Sequence, residues 1–374
     1  MVMYLTVKYV TIVISVWDTL WRKQMNIRWI KAVSVAAVLS LLCAGCGLGN
    51  QNENIEAGMT AVKALDYDTA LASFEAAKEA GENERLLYRG EGIAYLGKTQ
   101  YAEAVSAFET ALSFSDGRVD DMDYDVNYYL ATAYYKQGET DQALQVYDAI
   151  IALRPEERDA YYLRGVIEAE RGNLEQALAD FDMTISLNAR DYDRLIDIYC
   201  VLSENGYKES GQTYLQSAME SGTKYMTNFE KGRISYYLGD YENARTYLDK
   251  AKEESGYEAV LFLGKTHEEL GDYNYAISVY NTFLNDSGEV CPEILNQMGL
   301  CKMEMGDYEG ALQAFQQAMQ VEDNGMMQVL KMNEIVAYEK LGEYKQAAVL
   351  LGNYLKTYPD DETAKREYEF LKTR

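Results

Sequence analysis

The sequence predicts an all-α solenoid built from stacked helical hairpins. Three observations carry that prediction: a six-residue turn element recurs along the chain, small residues recur in step with it, and only three prolines interrupt 374 residues. Length alone would suggest two or three domains of ~150 residues, but an internal period of this kind takes precedence.

The turn element reads glycine, turn residue, aromatic, two polar residues, alanine. It stands as GDYENA (Gly239 to Ala244), GDYNYA (Gly271 to Ala276), GDYEGA (Gly306 to Ala311) and GEYKQA (Gly342 to Ala347), with weaker copies ending at Ala143 and Ala177. Taking its last residue as register gives Ala70, Ala104, Ala143, Ala177, Gly211, Ala244, Ala276, Ala311 and Ala347, in steps of 32 to 39. Twelve residues earlier stands a second small residue: Gly58, Gly92, Ala131, Gly165, Gly232, Gly264 and Gly299, broken only by Tyr199 and Ile335. Four residues later comes an aromatic or Leu, from Phe74 and Phe108 to Phe315 and Leu351.

A glycine within a helix costs roughly 1 kcal/mol relative to alanine, so its recurrence at one register requires compensation. Close helix approach supplies it. The expected arrangement sets the first-helix glycine against the second-helix alanine where the axes cross, with the large residue four later filling the gap to the next hairpin.

This spacing resembles the tetratricopeptide repeat, a helical hairpin of 34 residues whose closing proline has counterparts at Pro155 and Pro359. The resemblance covers residues 51–361, with repeats near 51–84, 85–118, 124–157, 158–191, 192–224, 225–256, 257–290, 292–325 and 328–361. It implies a right-handed superhelical solenoid of about nine hairpins. Residues 362–374 read as an amphipathic cap, with Ala364, Tyr368 and Leu371 over the last hairpin, as a solenoid end requires. Two irregularities stand out. Gly211 replaces the alanine and Lys208 the turn aromatic in one hairpin, an expected weak point, and the extra residues Val119 to Asp123 are expected to lengthen a loop.

Ahead of the repeats, MNIRWIKAVSVAAVLSLLCAGCG from Met25 has cations at Arg28 and Lys31, an apolar run from Ala32 to Leu42, then small residues before Cys46. This is the layout of a secretory signal. Ala44-Gly45-Cys46 resembles the lipobox of bacterial lipoproteins, although Cys43 stands where an aliphatic residue is usual. The resemblance implies a signal peptide over 25–45, lipidation of Cys46, a polar tether over 46–54 and a location on the extracytoplasmic face of the cell membrane. Two acyl chains anchor a soluble body firmly where one does not. Residues 1–24 fit neither part: Tyr4 to Trp17 is apolar but too short to cross a bilayer comfortably. The expectation is a natural start at Met25, with the upstream stretch a start-site artefact.

The formal charge of -25 is concentrated in the body; from Cys46 onward 30 basic residues face 59 acidic ones. Such a body is repelled by phosphate backbones and by anionic lipid or wall polymer, so nucleic acid is excluded as an expected partner. Cys200, Cys291 and Cys301 follow no disulfide or zinc spacing and read as small apolar residues on helices. The single histidine, His267, permits neither a Ser-His-Asp triad nor a multi-histidine metal site, and no phosphate-cradling glycine loop follows a strand. No cofactor, metal or catalytic residue is expected.

In the family resembled here, the first helix of each hairpin lines the concave face. Carrying over its ligand-facing places gives Tyr128, Thr132, Tyr135, Tyr162, Val166, Phe229, Arg233 and Tyr236, an aromatic floor with one cation. The Lys and Asn set by which some relatives clamp a terminal carboxylate has no match, since Asn296 and Lys265 are isolated. The resulting expectation is a non-catalytic, membrane-anchored scaffold for other envelope proteins or peptides. Alternatives are a receptor for an extracellular peptide or cell-wall fragment, and an accessory to an enzyme.

Overall fold

The structure, a computed structural model, describes residues 52–374 apart from 254, 255, 289, 322 and 323. Among the described residues are nineteen α-helices, one 3-10 turn at Thr223–Tyr225 and no strand. They divide into two compact units, residues 52–225 and 226–374. The first holds five hairpins: α1 (Glu53–Lys63) with α2 (Tyr67–Glu79), α3 (Glu84–Gly97) with α4 (Tyr101–Ser113), α5 (Asp121–Gln137) with α6 (Thr140–Leu153), α7 (Arg158–Glu170) with α8 (Leu174–Leu187), and α9 (Tyr192–Glu204) with α10 (Lys208–Gly222). The second holds four: α11 (Asn228–Leu238) with α12 (Tyr241–Ala251), α13 (Gly256–Glu269) with α14 (Tyr273–Ser287), α15 (Pro292–Glu304) with α16 (Tyr308–Met319), and α17 (Met327–Lys340) with α18 (Tyr344–Thr357). The cap α19 (Glu362–Leu371) lies on α18 and buries Ala364 and Leu371.

Within each unit a second helix packs on its own first helix and on the first helix of the following hairpin. Cohesion is therefore a series of nearest-neighbour contacts.

The turn element works through backbone chemistry. Its glycine ends the first helix in the left-handed region, with φ between +76° and +88° from Gly138 to Gly342, where a Cβ is penalised. The following residue then donates its N–H back into the helix, as Asp272 does to the His267 carbonyl at 2.8 Å. In the GDY copies the same aspartate caps the second helix: Asp240, Asp272 and Asp307 accept from the N–H groups of Asn243, Tyr275 and Gly310 at 3.3, 3.2 and 3.0 Å. The first two hairpins place Leu65 (φ 58°) and Thr99 (φ 60°) where the others place glycine.

The recurring first-helix glycines do not face the alanines, as the sequence suggested, but the large residue four places after them. A Cβ on Gly58 would lie 2.5 Å from Phe74, on Gly92 2.4 Å from Phe108, on Gly264 2.1 Å from Tyr280 and on Gly299 2.4 Å from Phe315. The alanines are fully buried beside this contact. An aromatic ring needs the wider slot, and a glycine face supplies it where alanine would not.

Other expectations change for local reasons. Glu53 and Asn54, read as tether, already belong to α1, because the Glu82 carboxylate accepts the Asn54 and Ile55 N–H groups at 3.0 Å each. The extra residues near Val119 largely extend a helix: Asp120 caps α5 in a reciprocal capping box with Asp123, so α5 runs to 17 residues. At the expected weak point, Gly211 matches a bulkier partner, since a Cβ there would sit 3.1 Å from the Tyr199 backbone. Cys291 is not on a helix but precedes Pro292 at the start of α15, whereas Cys200 and Cys301 are helical.

His267 is buried in the last turn of α13 with its ring 4.2 Å from that of Tyr275. Burial lowers its pKa, with Arg245 acting in the same direction and Asp272, Asp249 and Glu242 opposing.

Replacing Thr99 with glycine removes a β-branched side chain from the left-handed region and should stabilise the protein by about 1 kcal/mol in denaturant titrations. The opposite change, Gly264→Ala, traps the Tyr280 ring and should cost about 1–3 kcal/mol. Since the folded state disfavours charged His267, stability should be full above its ordinary pKa of 6.5 and fall as the pH drops below it, where the unfolded chain binds a proton that the buried ring resists. The His267→Gln variant should lose that component of the pH dependence, read from denaturation midpoints on either side of 6.5.

Candidate functional site

The sequence-predicted groove residues are divided between the two units. Tyr128 and Tyr135 lie on α5 and Tyr162 on α7, in the first unit, whereas Phe229, Arg233 and Tyr236 lie on α11, in the second.

On α5, Tyr128 and Tyr135 are half-buried, two turns apart. The Tyr135 hydroxyl donates to Glu170 at 2.5 Å, and Lys136 stands 5.5 Å over its ring. Burial raises the Glu170 pKa and lowers that of Lys136. The Tyr128 ring tilts against Tyr147 at 6.2 Å. Its hydroxyl is buried near Glu157 and Asp159, and burial followed by these charges pushes its pKa up. Tyr162 differs: it is 1% exposed, packed against Phe181 and covered by the Arg194 guanidinium at 3.9 Å. It belongs to the core and offers no open surface, because the succeeding hairpin supplies the arginine that roofs it.

The patch on α11 is wider than the sequence indicated. Phe229 meets Phe262 of α13 at 6.2 Å, and Tyr236 meets the same ring edge-on at 5.6 Å. Tyr237 and Tyr241 pack against Tyr236. Arg233 stands 5.2 Å from the Phe229 centroid and 5.4 Å from that of Phe262, which Lys265 approaches at 5.6 Å. These separations are those of edge-to-face aromatic pairs and cation–π contacts. Burial, then the Glu269 charge, raises the Tyr236 pKa.

Phe262 and Lys265 were missed for a definable reason. The shortest step, 32 residues, puts Lys265 at the place Arg233 holds in its own hairpin, so a register count would have found it. Phe262 stands one place beyond the carried-over position, occupied by Leu261. Asn296 is buried and accepts from Asn333 of α17 at 2.8 Å.

Behind the second patch lies a buried polar trio. The Tyr280 hydroxyl donates to Glu268 at 2.6 Å, and the Cys301 thiol bonds the same carboxylate. Burial pushes all three pKa values up, for Glu268 against the hydrogen bonds that favour its charge. A protonated, enclosed thiol is a poor nucleophile. Among the described residues no group of three or more metal-ligating side chains is assembled, and no helix is long and apolar enough to cross a membrane. Cys46 lies outside the described residues, as do the proposed signal peptide and the stretch before it.

A tetratricopeptide repeat model matches residues 55–118, 128–191 and 229–289, and a second model of that description matches 302–366. The chain is similar to a TPR repeat-containing protein of Methanocaldococcus jannaschii, 24% identical over 207 residues, or 52% of this chain and 35% of that one. It is also similar to the photosystem I assembly protein Ycf3 of Prochlorococcus marinus, 28% identical over 98 residues, covering 26% of this chain and 56% of the relative. The chain thus spans between a third and three-fifths of the length of these two relatives. Among solved structures, a tetratricopeptide repeat protein from Parabacteroides merdae aligns with a TM-score of 0.45 at 18% identity, over 77% of this chain and 98% of that one. With repeat models matching well over half its length, and with hairpins following one another in both units, the chain belongs to the tetratricopeptide repeat family.

Proposed function

We propose that this protein is a non-catalytic scaffold, held by lipid at Cys46 on the extracytoplasmic side of a bacterial membrane, that binds segments of other proteins on its first-helix faces. The observation that carries this reading is the pair of half-buried aromatic patches, Tyr128 with Tyr135 on one first helix and Phe229 with Tyr236 and Phe262 across two successive first helices. Rigid aromatic side chains lose little entropy on contact and present both apolar area and a polar tip. The leader and the Ala44-Gly45-Cys46 sequence support the anchor. The acidic body argues against nucleic acid.

Capture from detergent-solubilised membranes tests the reading. Full-length protein should retain a protein partner, and Tyr135→Ala and Tyr236→Ala should each weaken retention by about 1–2 kcal/mol, the scale of a contact near an interface centre. Unchanged retention in both variants, with helical content intact, would remove the aromatic faces from the account. Recovery of a small molecule without any protein would instead favour a receptor for a peptide or wall fragment.

A further inference from the structure

One edge of the 52–225 unit carries exposed apolar side chains in step with the hairpins. The two helices of each hairpin run antiparallel, so first-helix N-termini and second-helix C-termini meet at this edge. Seven large apolar side chains are notably exposed in the unit. Six of them, Phe114 (42%), Val119 (53%), Leu153 (60%), Met183 (40%), Leu187 (36%) and Tyr225 (50%), lie at or near the connections from one hairpin to the next, while Leu65 alone sits at the opposite edge. Phe114, Leu153 and Leu187 share one register, ten places after Ala104, Ala143 and Ala177, which makes them a row rather than a scatter.

Cations accompany the row despite the acidic body. Arg118, Arg190 and Lys224 are exposed in the same connections, and Arg190 and Lys224 stand 3.8 and 4.7 Å from the Tyr225 ring. Carboxylates are more numerous there, at Glu82, Asp116, Asp120, Glu156, Glu157 and Asp191, so charge gives the edge no attraction to anionic lipid and its affinity for a bilayer rests on the apolar row. The chain also enters the fold here: Asn52 accepts from the Asn83 N–H at 3.1 Å, and Glu82 holds the start of α1. Cys46 precedes Asn52 by six residues, a reach of about 20 Å when fully extended.

We infer that this edge rests on the lipid bilayer, its apolar row entering the boundary between headgroups and acyl chains while Tyr225, Arg118 and Arg190 sit among the headgroups. The inference builds on the lipid anchor proposed above. A tether that short keeps this edge near the membrane, and apolar side chains beside Tyr and Arg suit the interfacial layer. Interdigitating the row with lipid also turns the opposite edge, with its hairpin turns, toward water.

The test exploits the tryptophans, Trp17, Trp21 and Trp29, all of which precede Cys46 and would leave with the signal peptide. Leu153→Trp and Leu187→Trp place single reporters on the row, and Leu65→Trp places one on the opposite edge. Each variant, made from the full-length gene and purified from membranes, is reconstituted into vesicles of brominated phosphatidylcholine, which carries no net charge to repel the acidic body. Both row reporters should shift to the blue and lose more than half their emission to the brominated chains, while Leu65→Trp stays unquenched. Unquenched row reporters in acylated, fully helical protein would overturn the inference and leave the anchor standing. Mass spectrometry of the mature N-terminus reads the anchor separately. A terminus without acyl chains overturns that reading, and quenching of the same reporters in the unacylated protein then decides the edge by itself.

Discussion

A large side chain seated on the first-helix glycine of its own hairpin is the contact on which this architecture depends. Phe74 shows it fully: a Cβ on Gly58, in its own hairpin, and a Cβ on Gly90, in the next, would each come within 2.5 Å of its ring. The ring is completely buried. It therefore counts in two interfaces at once, closing its own hairpin and seating the following one. Where the ring is Tyr280, the hydroxyl continues past the glycine to Glu268, which Cys301 of the next hairpin also reaches, so the apolar seam gains a polar clasp. Buried polar groups stabilise little overall but demand their partners, and such a clasp fixes how α15 sits against α13.

The same seam governs the charges. Arginines on first helices reach carboxylates one repeat away: Arg85 bonds Asp120 at 2.6 Å, Arg89 bonds Asp125 at 2.5 Å, Arg158 bonds Asp191 at 2.8 Å and Arg194 bonds Asp159 at 3.0 Å. The Arg85 hydrogen bond holds the Asp120 pKa down to about 2. The more exposed of these, such as Arg89 with Asp125, add little stability each. Their repetition at the hairpin spacing sets register instead, and it explains why a strongly acidic chain keeps cations on its first helices.

Much of this was legible in the sequence because the signals are local and periodic. Glycine at the turn, a capping residue after it and a buried alanine each act within a few residues, and most copies carry them where the period puts them, with Leu65, Thr99 and Gly211 as the exceptions. What escaped was pairing between hairpins. Nothing in the spacing of Gly58 and Ala70 distinguishes an alanine neighbour from a Phe74 neighbour, because both lie on the same helical face. The Asp121 to Asp123 stretch looked like a loop insertion since charge reads as loop, yet its capping box and Arg85 make it helix. Tyr162 looked like a surface aromatic until Arg194, supplied 32 residues later, roofed it.

That last case bears on what the faces can bind. An aromatic on a solenoid faces water only if the neighbouring hairpin leaves it uncovered, and here adjacent hairpins place Arg194 on Tyr162 and Arg233 at Phe262, while Lys136 and Lys265 approach Tyr135 and Phe262 from their own helices. A guanidinium over a ring holds it in one orientation, which lowers the ordering cost a partner must meet on arrival. It also occupies part of the aromatic surface, so a partner gains most from ring edges and neighbouring apolar area. Shallow, pre-ordered patches of this kind suit an extended segment laid across several hairpins, each adding a modest contact, better than a small molecule that needs enclosure on most sides.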